Sequence, residues 1–349
     1  MTRGRDAVFQ SILDFATATV HIAPRMKIIF LLFFLAGNFL AQAQSPVSSL
    51  EKYKLYGREY VLMTQWAKSN KIRLQWVMNE KLLGATNSTA RLLFEINSKR
   101  AQIGGINLTL SHRVILDKGA VYISPVDLES TLHPILFPEK MSEGKSIHTI
   151  CLDAGHGGKD PGFVNGKLQE KKLNLLLAQE VERLLEKAGF VVVQTRQRDE
   201  ALELWDRPKI ANQRKADLFV SLHHNAADRR SVQGAETFCI TPEGTISSNG
   251  GKPAEKFSGQ QQNAASTLLA YQMQKSLVKN LGVEDRGVKR AQMMIYLTAR
   301  MPAILIEGAF LSNPEEARRI SDSAYRKKMA HAIVDGILAY QRIVERKPA

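Results

Sequence analysis

Strand-like and helix-like runs alternate from residue 147 onward, and this alternation constrains the fold more than any other feature of the sequence. Short apolar runs typical of strands occupy 149–152, 191–193, 218–222, 236–240 and 303–306. Helices are predicted at 173–188, 264–281 and 323–344, and the first of these repeats apolar residues every three to four positions before Gly189. We therefore expect residues 147–344 to form an α/β domain, with a mostly parallel twisted sheet flanked by helices.

The preceding segment, 53–138, has a different pattern and predicts a small α+β module. Its strand-like runs are short and are separated by turns at Gly104-Gly105 and Lys118-Gly119, and two short helices are expected at 64–69 and 125–131. It contains no cluster of His, Asp or Glu with ligand spacing. The pattern resembles the N-terminal-like domain of copper amine oxidases that occurs on bacterial envelope proteins. This resemblance implies a wall-binding or substrate-orienting module, without copper.

The first 43 residues have the organisation of a secretory signal. Arg25 and Lys27 precede an apolar run at 28–40, which is shorter than the roughly 20 residues of a spanning helix and ends in Ala41-Gln42-Ala43. A start at Met26 would make residues 1–25 an over-called extension, and residues 44–52 form a linker. We expect an exported protein of the periplasm or cell envelope, with no transmembrane segment after signal cleavage.

The charge balance indicates which partners to expect. The chain has 48 Lys and Arg against 34 Asp and Glu, a net charge of +14, and it stays strongly basic without residues 1–43. A basic surface favours anionic partners. Export and the lack of a nucleic-acid recognition motif argue against nucleic acid and favour anionic envelope polymers.

The two cysteines are expected to be buried thiols. Cys151 and Cys239 both lie inside apolar, strand-like runs. Single buried thiols are common in such positions, although an exported chain could pair them.

Side chains that can bind metals or transfer protons follow the predicted strands directly. The carboxyl ends of the strands are the places where parallel sheets bind ligands. The first strand runs into a glycine-rich turn that contains His156, and Glu170 opens the helix after it. Another strand ends in His223-His224, and the last ends in Glu307. A carboxylate that ends an apolar strand costs several kcal/mol to bury unless it is paired or bound. We expect these groups to converge at one edge of the sheet.

This set of side chains suits a catalytic zinc, which takes three N or O ligands and keeps one position open. His156, His223 and one of Glu170 and Glu307 would supply the ligands, and the other glutamate would accept a proton from water. Neighbouring strand residues point to opposite faces, so His223 and His224 do not both reach one ion easily. The residues alone leave open which of the two histidines binds.

Five ordered motifs within residues 147–343 resemble the zinc-dependent N-acetylmuramoyl-L-alanine amidases of bacterial cell-wall turnover, of the amidase-3 type. They are DAGHGGKDPG at 153–162, EKKLNL at 170–175, ADLFVSLHHNA at 216–226, RGVK at 286–289 and PAILIEGAFLSN at 302–313. The resemblance implies zinc ligands at His156, Glu170 and His223 and a catalytic role for Glu307. It leaves His224 off the metal.

The resemblance also implies a substrate and a role. The reaction would be hydrolysis of the amide between N-acetylmuramic acid and L-alanine in peptidoglycan, in cell-wall turnover or daughter-cell separation. Some relatives carry an inhibitory helix where this chain has the polar loop 241–262, and a partner removes it, so an activator protein is a candidate partner. The Gly and Pro of this loop argue against a helix, so we expect an open site. Two alternatives remain: a non-catalytic envelope-binding protein with a vestigial zinc site, and a zinc peptidase acting on the stem peptide.

Overall fold

The computed structural model describes residues 47–345. The predicted signal sequence at 1–43 lies outside the described residues. Within residues 47–345, no helix is both long and apolar enough to cross a membrane.

Antiparallel strands dominate the first part of the described chain. The elements are β1 (Lys52–Leu55), β2 (Arg58–Leu62), α1 (Met63–Ser69), β3 (Arg73–Met78), β4 (Leu82–Thr86), β5 (Arg91–Glu95), β6 (Ser98–Ile103), β7 (Ile106–Asp117) and β8 (Ala120–Ile123). A 3₁₀ turn at Val47–Ser49 precedes them, and its Val47 is buried.

The helix predicted at 125–131 is more irregular than expected. It consists of α2 (Pro125–Asp127), a π-helical turn at Leu128–Leu132 and α3 (His133–Leu136). Pro134 has no N–H to donate to the carbonyl four residues earlier, which belongs to Ser130. That carbonyl instead accepts hydrogen bonds from Thr267 Oγ1, at 2.9 Å, and from the Arg290 guanidinium. Because Pro134 leaves this carbonyl free, it can bond to residues of the second part of the chain.

Strands and helices alternate through the second part of the chain, as predicted. The strands are β9 (Thr149–Ala154), β10 (Val164–Asn165), β11 (Leu168–Gln169), β12 (Val191–Gln194), β13 (Leu218–Asn225), β14 (Ala235–Ile240), β15 (Ile246–Ser247), β16 (Gly250–Pro253), β17 (Asp285–Ala291) and β18 (Ala303–Phe310). The helices are α4 (Glu170–Lys187), α5 (Asp206–Gln213), α6 (Asn263–Leu281), α7 (Met294–Leu297), α8 (Pro314–Ser321) and α9 (Ser323–Val344), with a 3₁₀ turn at Ser258–Gln262.

The sheet of this part confirms the predicted α/β class. Its strand order is β12-β9-β13-β18-β14-β17, and every neighbouring pair is parallel except β14 and β18. Successive residues of β13 alternate between two cores. Leu218 and Val220 face the core that α4, α6 and α9 complete, whereas Phe219 packs on the opposite face with Ala211 of α5 and Ile295 of α7. Helices therefore cover both faces of the sheet.

The strands of the first part extend the same sheet. β17 pairs in parallel with β7 at Val288 and Leu108, and the order continues through β6, β5, β4 and β3. Asn107 donates to the Asp285 carboxylate and to the Asp285 carbonyl, at 2.7 and 2.8 Å. Gly287, at φ +86°, permits this approach because a Cβ there would lie 2.7 Å from the Asn107 carbonyl oxygen. The assignment of 53–138 and 147–344 to separate domains stays a prediction.

The polar segment 241–262 is more ordered than the exposed loop that we expected. It contains the β15–β16 hairpin, and Ser248 exchanges two hydrogen bonds with the Arg290 backbone, each 2.8 Å long. Glu243 and Glu255 are exposed. Cys151 and Cys239 are buried free thiols, as expected.

Candidate metal centre

The glycine-rich turn after β9 places His156 at the carboxyl edge of the sheet. His156 itself has φ +61°, a left-handed conformation that non-glycine residues rarely adopt. The neighbouring glycines admit the other site residues, because a Cβ at Gly155 would overlap the His223 ring. A Cβ at Gly162 would lie 2.6 Å from Glu170 Oε2. The close approach of the backbone therefore explains why this turn needs glycine.

Three of the predicted residues meet around one carboxylate oxygen. Glu170 Oε1 lies 3.1 Å from His156 Nε2 and 3.0 Å from His223 Nδ1. The two imidazole rings are 4.8 Å apart between centroids and inclined by 76°. One potential ligand atom from each residue lies within 4.8 Å of the other two, so the three side chains can hold a single ion.

The chemistry and spacing of this cluster fit zinc. Two imidazole nitrogens and one carboxylate oxygen form a donor set typical of catalytic zinc sites. Tetrahedral zinc with bonds of about 2.0–2.1 Å separates its ligand atoms by about 3.3 Å. The two measured contacts of Glu170 Oε1 are close to that separation.

Neighbouring groups orient the three side chains. Asp160 Oδ2 lies 2.7 Å from His156 Nδ1, which leaves Nε2 of that ring toward Glu170. Glu170 begins α4, three residues before the predicted start, because the first turn of the helix is polar and lacks the apolar repeat. The helix N-terminus favours a carboxylate at this position, and the Phe163 N–H donates to Glu170 Oε2 at 3.0 Å.

The charges of the cluster shift its pKa values in opposite directions. Burial lowers the pKa of His156, but hydrogen bonds and charges from Glu170 and Asp160 outweigh burial and raise it. Burial raises the pKa of Glu170, but His156 and His223 outweigh burial and lower it. The carboxylate is therefore held in its ionised, ligand-competent form.

The structure separates the two adjacent histidines. His223 faces Glu170, whereas His224 is buried and its Nδ1 lies 2.8 Å from Asn174 Oδ1. Burial lowers the pKa of His224 to about 4, so the ring is neutral. The direction of each side chain therefore favours His223 over His224 as the metal ligand.

Glu307 lies beside the cluster and is not one of its three members. In the sheet register it neighbours His223 of β13 on one side and Glu236 of β14 on the other. Its Oε2 is buried and, among the described residues, has no hydrogen-bond partner. Burial raises the pKa of Glu307 well above its usual range, and the charges of Glu170 and Glu236 add to the effect.

Arg207 is a supporting residue that the sequence reasoning did not single out. It is buried and donates to Asp153 Oδ1 at 2.7 Å and to the His156 carbonyl at 3.0 Å. Asp153 is fully buried and also accepts hydrogen bonds from Thr195 and Ser221, at 2.6 Å each. Arg207 lies 54 residues from Asp153, so local spacing carried no signal of this contact.

A cleft adjoins the cluster at the same edge of the sheet. It encloses about 570 Å³ and is lined by Phe163, Asn165, Ala226, Ala227, Asp228, Arg230 and Ser312. Phe163 connects it to the cluster, since its backbone N–H donates to Glu170. The arrangement places a cleft with both apolar and charged lining beside a metal-competent centre and a carboxyl group.

Comparison with known proteins identifies the family of the chain. The sequence model of the family Amidase_3, described as N-acetylmuramoyl-L-alanine amidase, matches residues 150–339, which is more than half of the chain. The chain belongs to this amidase family. The match includes all four predicted site residues of the amidase, His156, Glu170, His223 and Glu307.

Individual relatives match a similar share of the chain. The N-acetylmuramoyl-L-alanine amidase LytC of Bacillus subtilis is 37% identical over 194 residues, which are 56% of this chain and only 36% of LytC. AmiA of Escherichia coli is 30% identical over 228 residues, or 58% of this chain and 78% of AmiA. The crystal structure of an N-acetylmuramoyl-L-alanine amidase from Clostridium difficile 630 is 32% identical, with a TM-score of 0.49 over 56% of this chain and 97% of that one.

Proposed function

We propose that this protein is a zinc-dependent hydrolase of the amide bond between N-acetylmuramic acid and L-alanine in peptidoglycan. The observation that carries the proposal is the contact of one Glu170 oxygen with His156 and His223, at 3.1 and 3.0 Å. His156, Glu170 and His223 would hold the ion. When bound, zinc supplies Lewis acidity, which lowers the pKa of water and polarises a carbonyl.

Glu307 performs the proton transfer in this proposal. It accepts a proton from the attacking water and returns it to the amine that leaves with L-alanine. The unpartnered Oε2 and the position of Glu307 beside His223 support the role, because a general base needs a free oxygen close to the reacting atoms.

The adjoining cleft would hold the peptide part of the substrate. Arg230 supplies a positive charge for a stem-peptide carboxylate, and the half-exposed Phe163 supplies an apolar surface. The lactyl carbonyl would then lie over the metal centre.

The proposed setting is the bacterial envelope. A signal at 1–43 would export the protein to the periplasm or cell envelope, where it acts on peptidoglycan in wall turnover or daughter-cell separation. Glu243 and Glu255, the acidic side chains of segment 241–262, are exposed rather than placed on the metal cluster, which supports an open site. An activator protein stays a prediction.

The test is digestion of peptidoglycan sacculi by the purified protein, with mass spectrometry of the released fragments. We expect free stem peptides that begin with alanine, abolished by a chelator and restored by zinc but not by magnesium. Cleavage within the stem peptide would instead establish a peptidase. Binding without release would establish a non-catalytic envelope protein or an enzyme that needs an activator, and either result would contradict the proposal for the isolated chain.

A further inference from the structure

A second cavity lies away from the metal centre, between the N-terminal strands and the β15–β16 hairpin. It encloses about 660 Å³. Side chains of β2, β6 and β7 line one side, and residues 244–246 and Pro253 line the other. Strands β14 and β17 separate β7 from β18 in the sheet, so this cavity and the metal centre are different sites.

The cavity collects three positive charges, and no carboxylate is among the described residues that line it. Arg58, Lys99 and Arg113 line it, and the described lining residues include no Asp or Glu. Within residues 47–345, none of these three side chains has an ion pair or hydrogen bond. Arg286 and Lys289, by contrast, both pair with Glu236. What distinguishes Arg58, Lys99 and Arg113 is that all three line the same cavity.

The charges of Arg58 and Arg113 both act on Lys99. Burial lowers the pKa of Lys99, and the charges of Arg58 and Arg113 lower it further, against the opposing effect of Asp127. Asp127 is fully buried, and its carboxylate accepts hydrogen bonds from the backbone N–H groups of Ser111 and His112 at 2.6 and 2.9 Å. Its charge is therefore engaged by the backbone of β7.

The remaining lining side chains suit an organic group next to an anion. Tyr56 lies in the β1–β2 turn at φ +50°, is 77% exposed and is one of the residues that line the cavity. Tyr60 and Asn97 add polar groups beside the cations. An aromatic ring with a polar tip offers both an apolar face and a hydrogen-bond donor.

We infer that this cavity binds a phosphate group carried on a sugar or on a lipid headgroup. Phosphate presents several strong acceptor oxygens and a monoester carries about −1.5 to −2 charges at neutral pH, so it balances three cations better than one carboxylate does. Guanidinium groups match phosphate geometry with paired N–H donors. The inference does not depend on the proposed amidase activity.

The test compares two double variants of the whole purified protein by calorimetry. The cavity variant is Lys99→Gln with Arg113→Gln, and the control is Arg73→Gln with Lys81→Gln, which removes the same charge from exposed positions outside the lining. With inorganic phosphate and glucose 6-phosphate at fixed low ionic strength, we expect a tenfold or greater loss of affinity in the cavity variant. The control should change less than twofold.

Two further measurements distinguish a sugar phosphate from a phospholipid headgroup. Tighter binding of glucose 6-phosphate than of inorganic phosphate indicates a sugar phosphate. Sedimentation with vesicles of phosphatidylglycerol and phosphatidylcholine, but not with phosphatidylcholine alone, indicates a lipid headgroup. Either result supports the inference when the cavity variant loses it.

Three results would overturn the inference. They are the absence of phosphate binding by the unaltered protein, an equal loss in both double variants, and acetate binding as tight as phosphate binding. Arg58→Gln, at an exposed position, repeats the test if the cavity variant does not fold. Circular dichroism of each variant provides the check on folding.

Discussion

The metal centre and the cationic cavity use charged side chains in opposite ways. At the metal centre, Glu170 stands against His156 and His223, and each charge has a partner within about one hydrogen-bond length. In the cavity, Arg58, Lys99 and Arg113 face a shared space without a counter-charge among its lining residues. The first arrangement is organised to hold a cation and the second to attract an anion. Both arise in one continuous sheet, in which β18, β14 and β17 lie between β13 of the metal centre and β7 of the cavity.

The largest effect is expected at the metal ligands. His223→Ala removes one of three ligand atoms, so bound metal should fall from about one per chain to nearly none and amide hydrolysis should fall by 100-fold or more. Metal analysis and mass spectrometry of digested sacculi measure both. His331→Ala, at an exposed site, and the cavity variant Lys99→Gln with Arg113→Gln should keep full metal content. Loss of metal in the cavity variant would show that the two regions are coupled.

Glu307→Gln should separate metal binding from catalysis. The amide keeps the shape of the side chain but cannot accept the proton, so turnover should fall about 100-fold while bound metal is retained. Glu255→Gln is the matched control, because Glu255 is exposed in segment 241–262. Near-normal turnover of Glu307→Gln would assign the proton transfer to another group.

Arg290 tests whether the stability of the protein depends on contacts between residues 47–138 and residues 147–345. This buried side chain joins both parts of the chain through Ser130 O, Thr131 Oγ1, Ile240 O, Cys239 Sγ and Asn263 Oδ1. Arg290→Met should lower the free energy of unfolding by about 2 kcal/mol, since hydrogen bonds to a charged group contribute about 1.5–3 kcal/mol. Urea unfolding measures the change, with the exposed Arg300→Met as control. An unchanged midpoint would mean that the two parts do not depend on this contact.

The smallest effect per pH unit is expected from protonation of His133 in α3, which contacts Trp66 of α1. Burial lowers the pKa of His133 from 6.5 to about 4, and its Nε2 accepts a hydrogen bond from Trp66 Nε1 at 3.0 Å. Between these pH values the folded protein binds fewer protons than the unfolded chain, so stability should fall as pH decreases from 6.5 toward 4.

His133→Gln should flatten this pH dependence by up to about 1.4 kcal/mol per pH unit, the limit for one proton. Melting temperatures between pH 7 and 4.5 measure it, and the exposed His331→Gln should retain the slope. An unchanged slope in His133→Gln would assign the pH dependence to other groups.

Much of the structure of residues 147–344 could be predicted because it is indicated by patterns of neighbouring residues. Apolar periodicity and flanking residues predicted the helix at 323–344, and the structure places it at Ser323–Val344. Residues at the carboxyl ends of parallel strands necessarily meet at one edge, which brought His156, His223 and Glu307 together in the prediction. The start of α4 was placed late at Leu173, because its polar first turn carries no apolar signal.

Features that depend on distant contacts were not predicted. Segment 241–262 was expected to be an exposed loop, yet its hairpin is held by Ser248 against the backbone of Arg290, which lies 42 residues away. The continuity of the sheet through β7 and β17 depends on Asn107 and Asp285, 178 residues apart. Neither contact leaves a pattern in neighbouring residues.

The sequence by itself determined the α/β class of 147–344, the strand ends that carry the chemistry and the family resemblance, because periodicity and short motifs are properties of adjacent residues. Only the tertiary structure decided that His223 rather than His224 faces Glu170, that Arg207 supports Asp153 and that Arg58, Lys99 and Arg113 share one cavity. Those outcomes depend on side-chain direction and on packing between segments far apart in the chain. Long-range packing is selected by burial over the whole molecule, which no local pattern encodes.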